Sequence, residues 1–345
     1  MALLFCDSFD HYASAGMAYK WTYRDGANVT IDASYGRFST GGCKITYNSS
    51  GVYKTHDQKR TLVAGVAVKV PNVTPGVITP IAFCEALYTQ PQCCVCVNAS
   101  KYLEVRRGDN NGTVLATSTD PLTQGWHYVE FKAYIDDSAG TTEVHLDGVE
   151  VAELTLTDQD TQNRTNNYAD ITRLCLSTGG SQADYYFDDF YLCDTTGSYC
   201  NDFLGDIRVE CKLPDGAGDS VNTDWTPSAG DNYECVNESP PTDDTDYVSS
   251  ETADNIDTYA FAALATTAGS VKAVTVWNYA RKDDAGTRQI AAVARHDTSE
   301  SYGSTVTLSA TYTHYGEIYH VNPSTTSAWT IAEVNEAEFG VKLIA

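Results

Sequence analysis

Three kinds of side chain in this sequence could do chemistry: thiols, carboxylates and imidazoles. The thiols concentrate in Cys93-Cys94-Val95-Cys96. On a strand, Cys94 and Cys96 share one face and Cys93 opposes them, so three sulfurs cannot converge on zinc without a bulge. No second Cys-x-x-Cys or paired His completes a ligand set. The run reads as small buried thiols, with a structural metal and disulfides as the other readings. Among carboxylates, a retaining glycosidase needs two on one strand face, ~5 Å apart. No Glu-x-Asp-x-Glu run exists to supply them. Glu150 and Glu153 fall on opposite strand faces, and so do the adjacent Asp188 and Asp189. The seven His (His11, His56, His127, His145, His296, His314, His320) stand apart. Only His127 and His145 could face each other across a meander, and two packed or surface imidazoles is the plainer reading.

Other reaction signatures are missing. The sequence has no Gly-x-Ser-x-Gly elbow, no His-Glu-x-x-His and no phosphate loop, and Gly216-Ala217-Gly218 lacks the third glycine of a dinucleotide turn. Calcium would need about six or more oxygens from several loops. The oxygen-rich candidates are Asp136-Asp137, Asp188 with Asp189, and Asp243 and Asp244 with Asp246. Each alone reads as a solvated turn. Tyr19, Trp21, Tyr23 and Trp225 lie in loop-like stretches and could stack on sugars, or could pack at a domain edge.

The elements that would position these residues are strands. In Trp126 to Ile135, Val129, Phe131, Ala133 and Ile135 share one face, while Tyr128, Glu130, Lys132 and Tyr134 share the other. This alternation suits a strand buried on one side. Asp136-Asp137-Ser138-Ala139-Gly140 supplies turn chemistry. A second alternating run, Thr142 to Leu146, reaches the tight turn Asp147-Gly148. Leu62 to Val70 reads as a strand stopped by Pro71. Ile256 to Leu264 and Val271 to Tyr279 continue the pattern. Arg281 to Gly286 reads as a hairpin turn into a return strand from Thr287 to Ala294. Pro214 to Asp246 reads as one long loop. Thr330-Ile331-Ala332-Glu333 is a capping box, predicting one short helix before a last strand. The expected fold class is all-β: two β-sandwich or jelly-roll domains with at most one short helix near the C-terminus.

A length of 345 residues, 42% of them hydrophobic, fits two domains with real cores. The 23 Tyr and only 2 Met favour strands over helices. The balance of 46 acidic against 22 basic residues gives a net charge of −24, which argues against nucleic-acid partners and acidic membrane surfaces. No apolar run approaches ~20 residues, so no membrane insertion is expected. Met1-Ala2-Leu3-Leu4-Phe5 has no basic start and meets Asp7 too soon for a signal peptide, so synthesis in a cytoplasm is expected.

The Trp126 to Val151 run, with Tyr185-Tyr186-Phe187-Asp188-Asp189-Phe190-Tyr191-Leu192 and the opening Leu4-Phe5-Cys6-Asp7-Ser8-Phe9-Asp10, resembles a concanavalin A-like (laminin-G-like) jelly roll. The resemblance implies that the first and last strands are neighbours. It thereby places Cys6 near Cys193, as a disulfide or as two packed thiols. It also implies that calcium is a ligand to consider. A second resemblance covers Phe203 to Ala345, carried by Gly205-Asp206-Ile207-Arg208-Val209, Ala280 to Thr287, and Trp329 to Leu343. That block is similar to modules of tailed-bacteriophage virion proteins. The expected organisation is a jelly roll at 1–195, a linker at 196–204 and a second sandwich at 205–345. The expected function is a non-catalytic structural protein of a tailed-phage virion, a capsid decoration or surface protein. Its expected partners are its own copies and other capsid or tail proteins, its location is the particle, and no cofactor is required. The alternatives are a glycan-binding adhesin on tail or head fibre, meeting a host surface glycan, and a glycosidase-like enzyme.

Overall fold

The computed structural model describes residues 3–46, 51–72, 76–85, 90–175, 184–221 and 225–345. The chain divides into two compact units, Met1–Val209 and Glu210–Ala345.

The first unit contains Leu3–Asp7 (β1), Tyr23–Arg24 (β2), Val29–Asp32 (β3), Gly42–Ile45 (β4), Val52–Lys59 (β5), Thr61–Val70 (β6), Ile78–Cys84 (β7) and Pro91–Val97 (β8). It continues with Tyr102–Arg107 (β9), Thr113–Pro121 (β10), Gly125–Tyr134 (β11), Gly140–Leu146 (β12), Val149–Glu150 (β13), Leu156–Gln159 (β14), Ala169–Leu174 (β15) and Tyr185–Asp194 (β16). One sheet runs β13-β12-β11-β6-β16-β4-β3, with β1 on β16 and β14 on β12. The other runs β10-β9-β8-β7-β15-β5-β2. The two face each other across a core in which Phe83 of β7 stacks on Phe131 of β11, ring centres 5.2 Å apart. This is a two-sheet antiparallel β-sandwich. Val129, Phe131, Ala133 and Ile135 are all buried, as their alternation requires. Asp147 and Gly148 both take positive φ, 52° and 78°, the backbone of a two-residue hairpin turn joining β12 to β13.

The opposite face of β11 departs from expectation. Tyr128 and Glu130 are also fully buried. The covering layer is the end of the expected linker together with the first residues of the expected second sandwich. The Leu204 and Gly205 amides donate to Glu130, at 3.1 and 2.8 Å, and the Val209 amide donates to Asp189 at 2.7 Å. Phe203 stacks on His145, ring centres 3.9 Å apart. Residues 196–209 therefore belong to the first unit, and the division falls after Val209.

The second unit contains Pro214–Val221 (β17), Thr226–Pro227 (β18), Val248–Ser249 (β19), Ile256–Phe261 (β20), Val274–Ala280 (β21), Gln289–His296 (β22), Ser299–Tyr302 (β23), Val306–Thr307 (β24), Thr313–Tyr319 (β25), Ile331–Glu336 (α1) and Glu338–Leu343 (β26). A sheet runs β17-β20-β26-β22-β23, with β24 on β22, beside a β21-β25 ribbon and a β18-β19 pair. Its core joins Ala292, Ala294 and Phe339 to Val276, Tyr319 and Trp329, and Ile290 and Leu343 to Trp225 and Leu308. α1 begins at the expected box: Thr330 accepts from the Glu333 amide, and Glu333 accepts from the Thr330 amide.

Two expectations fail here. The Arg281 to Gly286 turn does not close a hairpin, because β21 pairs with β25 while β22 pairs with β26. Turn residues specify a reversal, not the partner strand. The stretch expected as one long loop begins with β17, paired to β20. Its glycines gave no apolar alternation, yet they permit close approach: a Cβ on Gly218 would clash with Thr258 and Glu338.

Candidate functional site

The carboxylates are drawn inward. Asp7 ends β1 fully buried, and Lys20 Nζ donates to it at 2.8 Å, Trp21 Nε1 at 2.6 Å, and the Tyr12 hydroxyl as well. Burial alone would raise this carboxyl. The Lys20 ammonium, His11 and the donated hydrogen bonds outweigh it and hold Asp7 below the usual carboxylate range. Lys54, which reaches the Lys20 carbonyl at 2.6 Å, is lowered to about 8 by burial and by the Lys20 charge.

Asp188 and Asp189 do not oppose each other as a regular strand would dictate. A bulge interrupts the β16–β6 register between Asp188 and Tyr191, and Asp189 has a φ of 52°. Arg37 consequently meets both: its amide donates to Asp188 at 2.8 Å, and its Nε lies 3.5 Å from Asp189. Burial raises both carboxyls, and the Asp189 charge pushes Asp188 further. Asp10 stands near enough to repel them and is itself raised to about 6, chiefly by burial.

Both oxygens of Asp188 and Oδ1 of Asp189 accept from the amides of Arg37, Asp189 and Val209, while Asp189 Oδ2 accepts no hydrogen bond and lies 3.5 Å from the Arg37 Nε. In the second unit, Asp243 accepts from Tyr279, Asp244 from Arg281 and Tyr312, and Asp246 from Ser228. Asp136 is taken up by Arg60 and by its own turn amides. Among the described residues, no three His, Cys, Asp or Glu side chains gather at metal-binding distance.

Glu150 and Glu153 are exposed and accept from Thr155 and Thr119, respectively. His127 pairs with Asp147, while His145 lies opposite Glu130 on the other face of the sheet, so the two imidazoles are not brought together. Cys94 and Cys96 share a face with Cys84, sulfurs of the first two 3.4 Å apart, and Cys93 lies opposite Phe83. Cys6 and Cys193 do lie on paired strands, and no disulfide joins them.

The four aromatics expected to face a glycan are scattered. Tyr19 is exposed. Trp21 is a core residue, 1% exposed, packed against Phe5, Phe9 and Phe190 with its N–H on Asp7. Tyr23 is half-buried and stacks on Tyr53. Trp225 is buried beside Ile290 and Leu343. The sequence reading missed a different set. On the β21-β25 ribbon, Trp277, Tyr279 and Arg281 share a face with Tyr312, His314 and Gly316, and all but the exposed Gly316 are half-buried. The parity of Trp277, Tyr279 and Arg281 was readable; which parity faces the core was not. A polar cleft of about 280 Å³ in the first unit is lined by Arg107, Asp109, Asn163 and Arg164, among others.

No family model matches the chain, and no curated protein does. Solved structures similar to it include a cellulose-induced protein, Cip1, at 14% identity and a TM-score of 0.36, covering 59% of this chain and 95% of that one. Domain 4 of AbnA, an extracellular arabinanase from Geobacillus stearothermophilus, is similar at 12% identity and 0.35, covering 49% and 76%. A Trypanosoma rangeli sialidase is similar at 10% identity and 0.33, covering 48% of this chain and only 27% of the sialidase.

Proposed function

We propose that the chain is a non-catalytic structural protein on the surface of a tailed-phage particle, a capsid decoration protein whose partners are its own copies and neighbouring particle proteins. One observation carries the non-catalytic half of this reading. The buried carboxylates Asp7, Glu130 and Asp189 each accept from the protein's own donors, and none of them lines the polar cleft at Arg107 and Arg164. An acid–base pair needs at least one carboxyl presented to substrate. The particle half rests on the resemblance of the block from Phe203 to Ala345, and the charge of −24 suits docking on a basic surface of an assembly.

The test is quantitative mass spectrometry of purified particles beside the infected-cell lysate. A decoration protein is expected at a copy number comparable to the major shell protein. Presence in cells with absence from finished particles would overturn the reading. Release of reducing sugar from any polysaccharide by the purified chain would overturn its non-catalytic half.

A further inference from the structure

The outer face of the β21-β25 ribbon is built as a ring platform. Register sets Trp277 opposite Gly316 and Tyr279 opposite His314. Alternation sends Val274, Val276 and Ala280 to the core clusters, so the aromatic parity faces away from them. Gly316 explains the pose of the tryptophan. A Cβ there would stand 2.6–2.8 Å from three indole carbons, so the bare glycine lets the ring lie across the ribbon.

The neighbouring rings are fixed before any ligand arrives. Tyr279 and Tyr312 stack at 5.1 Å and 17°. Their hydroxyls donate to Asp243 and Asp244, at 3.0 and 2.9 Å. Arg281 donates to Asp244 at 2.8 Å and lies over the Tyr312 ring. Half-exposed aromatics held this firmly lose little freedom on binding.

We infer that this face binds a neutral oligosaccharide. The indole of Trp277 stacks on the C–H face of a sugar ring, while Arg281, His314 and the two Asp exchange hydrogen bonds with its hydroxyls. Donors and acceptors beside an aromatic surface match a hydroxyl-bearing ring, which has an apolar face and an edge that both gives and takes hydrogen bonds. Asp243 and Asp244, in a chain of net charge −24, disfavour a polyanion such as nucleic acid or a sulfated glycan. An apolar peptide would leave these rim charges facing apolar surface. The inference stands whether or not the chain belongs to a particle.

Affinity electrophoresis of the full chain through gels containing linear glucan, xylan, mannan or galactan tests it. Retardation is expected in at least one, with tryptophan fluorescence that changes and saturates. Trp277→Ala should weaken binding by about tenfold or more at an unchanged melting temperature. Gly316→Ala, which displaces the ring without removing it, should weaken binding too and serves if the first variant misfolds. Tyr19→Ala, in the first unit, should bind as the parent does. The proposal is overturned if no neutral polysaccharide retards the chain, if only acidic ones do, or if Trp277→Ala retains binding. It is overturned equally if Trp277→Ala alters self-association alone.

Discussion

Asp7 and Lys20 form an ion pair at 2.8 Å with side chains 0% and 1% exposed, thirteen residues apart in the chain. The pair ties β1 to the segment that carries Tyr12 and Trp21, and the same carboxylate takes the hydroxyl of one and the indole N–H of the other. Removing the carboxylate leaves a buried ammonium and two buried donors without their acceptor. Asp7→Ala is expected to destabilise the first unit by about 3–5 kcal/mol, the usual cost of breaking a buried pair from one side. Denaturant unfolding followed by fluorescence measures it, and a loss under about 1 kcal/mol would show that the pair contributes no more than an exposed one.

The Asp188, Asp189 and Asp10 group predicts a pH slope of the opposite sign to Asp7. Asp7 is depressed when folded, so its contribution is present above the ordinary carboxylate range and lost as pH falls through its folded value. Asp10 and Asp188 are raised, to about 6 and about 8, so the folded chain binds their protons more tightly than the unfolded chain does. Their contribution is full below the ordinary carboxylate value and is lost as pH climbs toward about 8. The melting temperature of the parent is expected to fall between about pH 5 and pH 8, and Asp188→Asn should flatten that slope. Equal slopes in the two proteins would remove the argument.

Glu130 predicts a local effect. Its Oε1 accepts from the Tyr191 hydroxyl at 2.6 Å and from the Leu204 and Gly205 amides, so one carboxylate clasps the covering segment to the sheet. Glu130→Ala should expose that segment before the sandwich unfolds. Trypsin is expected to cut after Arg208 at least about tenfold faster, matching the loss of a buried hydrogen-bonded charge. Hydrogen exchange at Leu204 and Gly205 should accelerate while Val66 and Phe131 stay protected. Uniform acceleration across the unit would mean that the carboxylate supports the whole sandwich instead.

What could be read from sequence was local. The Val129, Phe131, Ala133 and Ile135 parity, the Asp147-Gly148 turn and the Thr330 to Glu333 box depend on neighbours within a few residues, and each appears in the structure. Trp21 and Tyr19, two positions apart, show the limit of what near neighbours decide. Nothing in their spacing says that Trp21 has Asp7 as an acceptor in the core while Tyr19 stays outside. The bulge at Asp188 and Asp189 turned an expected opposition into a shared arginine, because a bulge shifts the alternation on which the expectation rested.

The thiols predict a pattern of reactivity that separates buried thiols from a metal or disulfide site. Cys84, Cys93, Cys94 and Cys175 are inaccessible, and burial raises Cys84 and Cys175 to about 12 and the other two also upward; for Cys94 the hydrogen bond with Cys96 comes first. At pH 8 a thiol with a pKa of about 12 is ionised to roughly one part in ten thousand, and the thiolate is the reactive form. Inaccessibility multiplies that factor. Cys6, Cys200 and Cys211 are the half-buried thiols of the eleven. Brief alkylation of the native protein, read by peptide mass spectrometry, should therefore mark these three and spare Cys94 and Cys96, and denaturant should release all eleven together. A disulfide between Cys94 and Cys96 would keep both unlabelled even after unfolding unless reductant were added. Bound zinc would make their labelling respond to chelator in the folded state. The 3.4 Å between their sulfurs predicts neither response: both should label on unfolding alone.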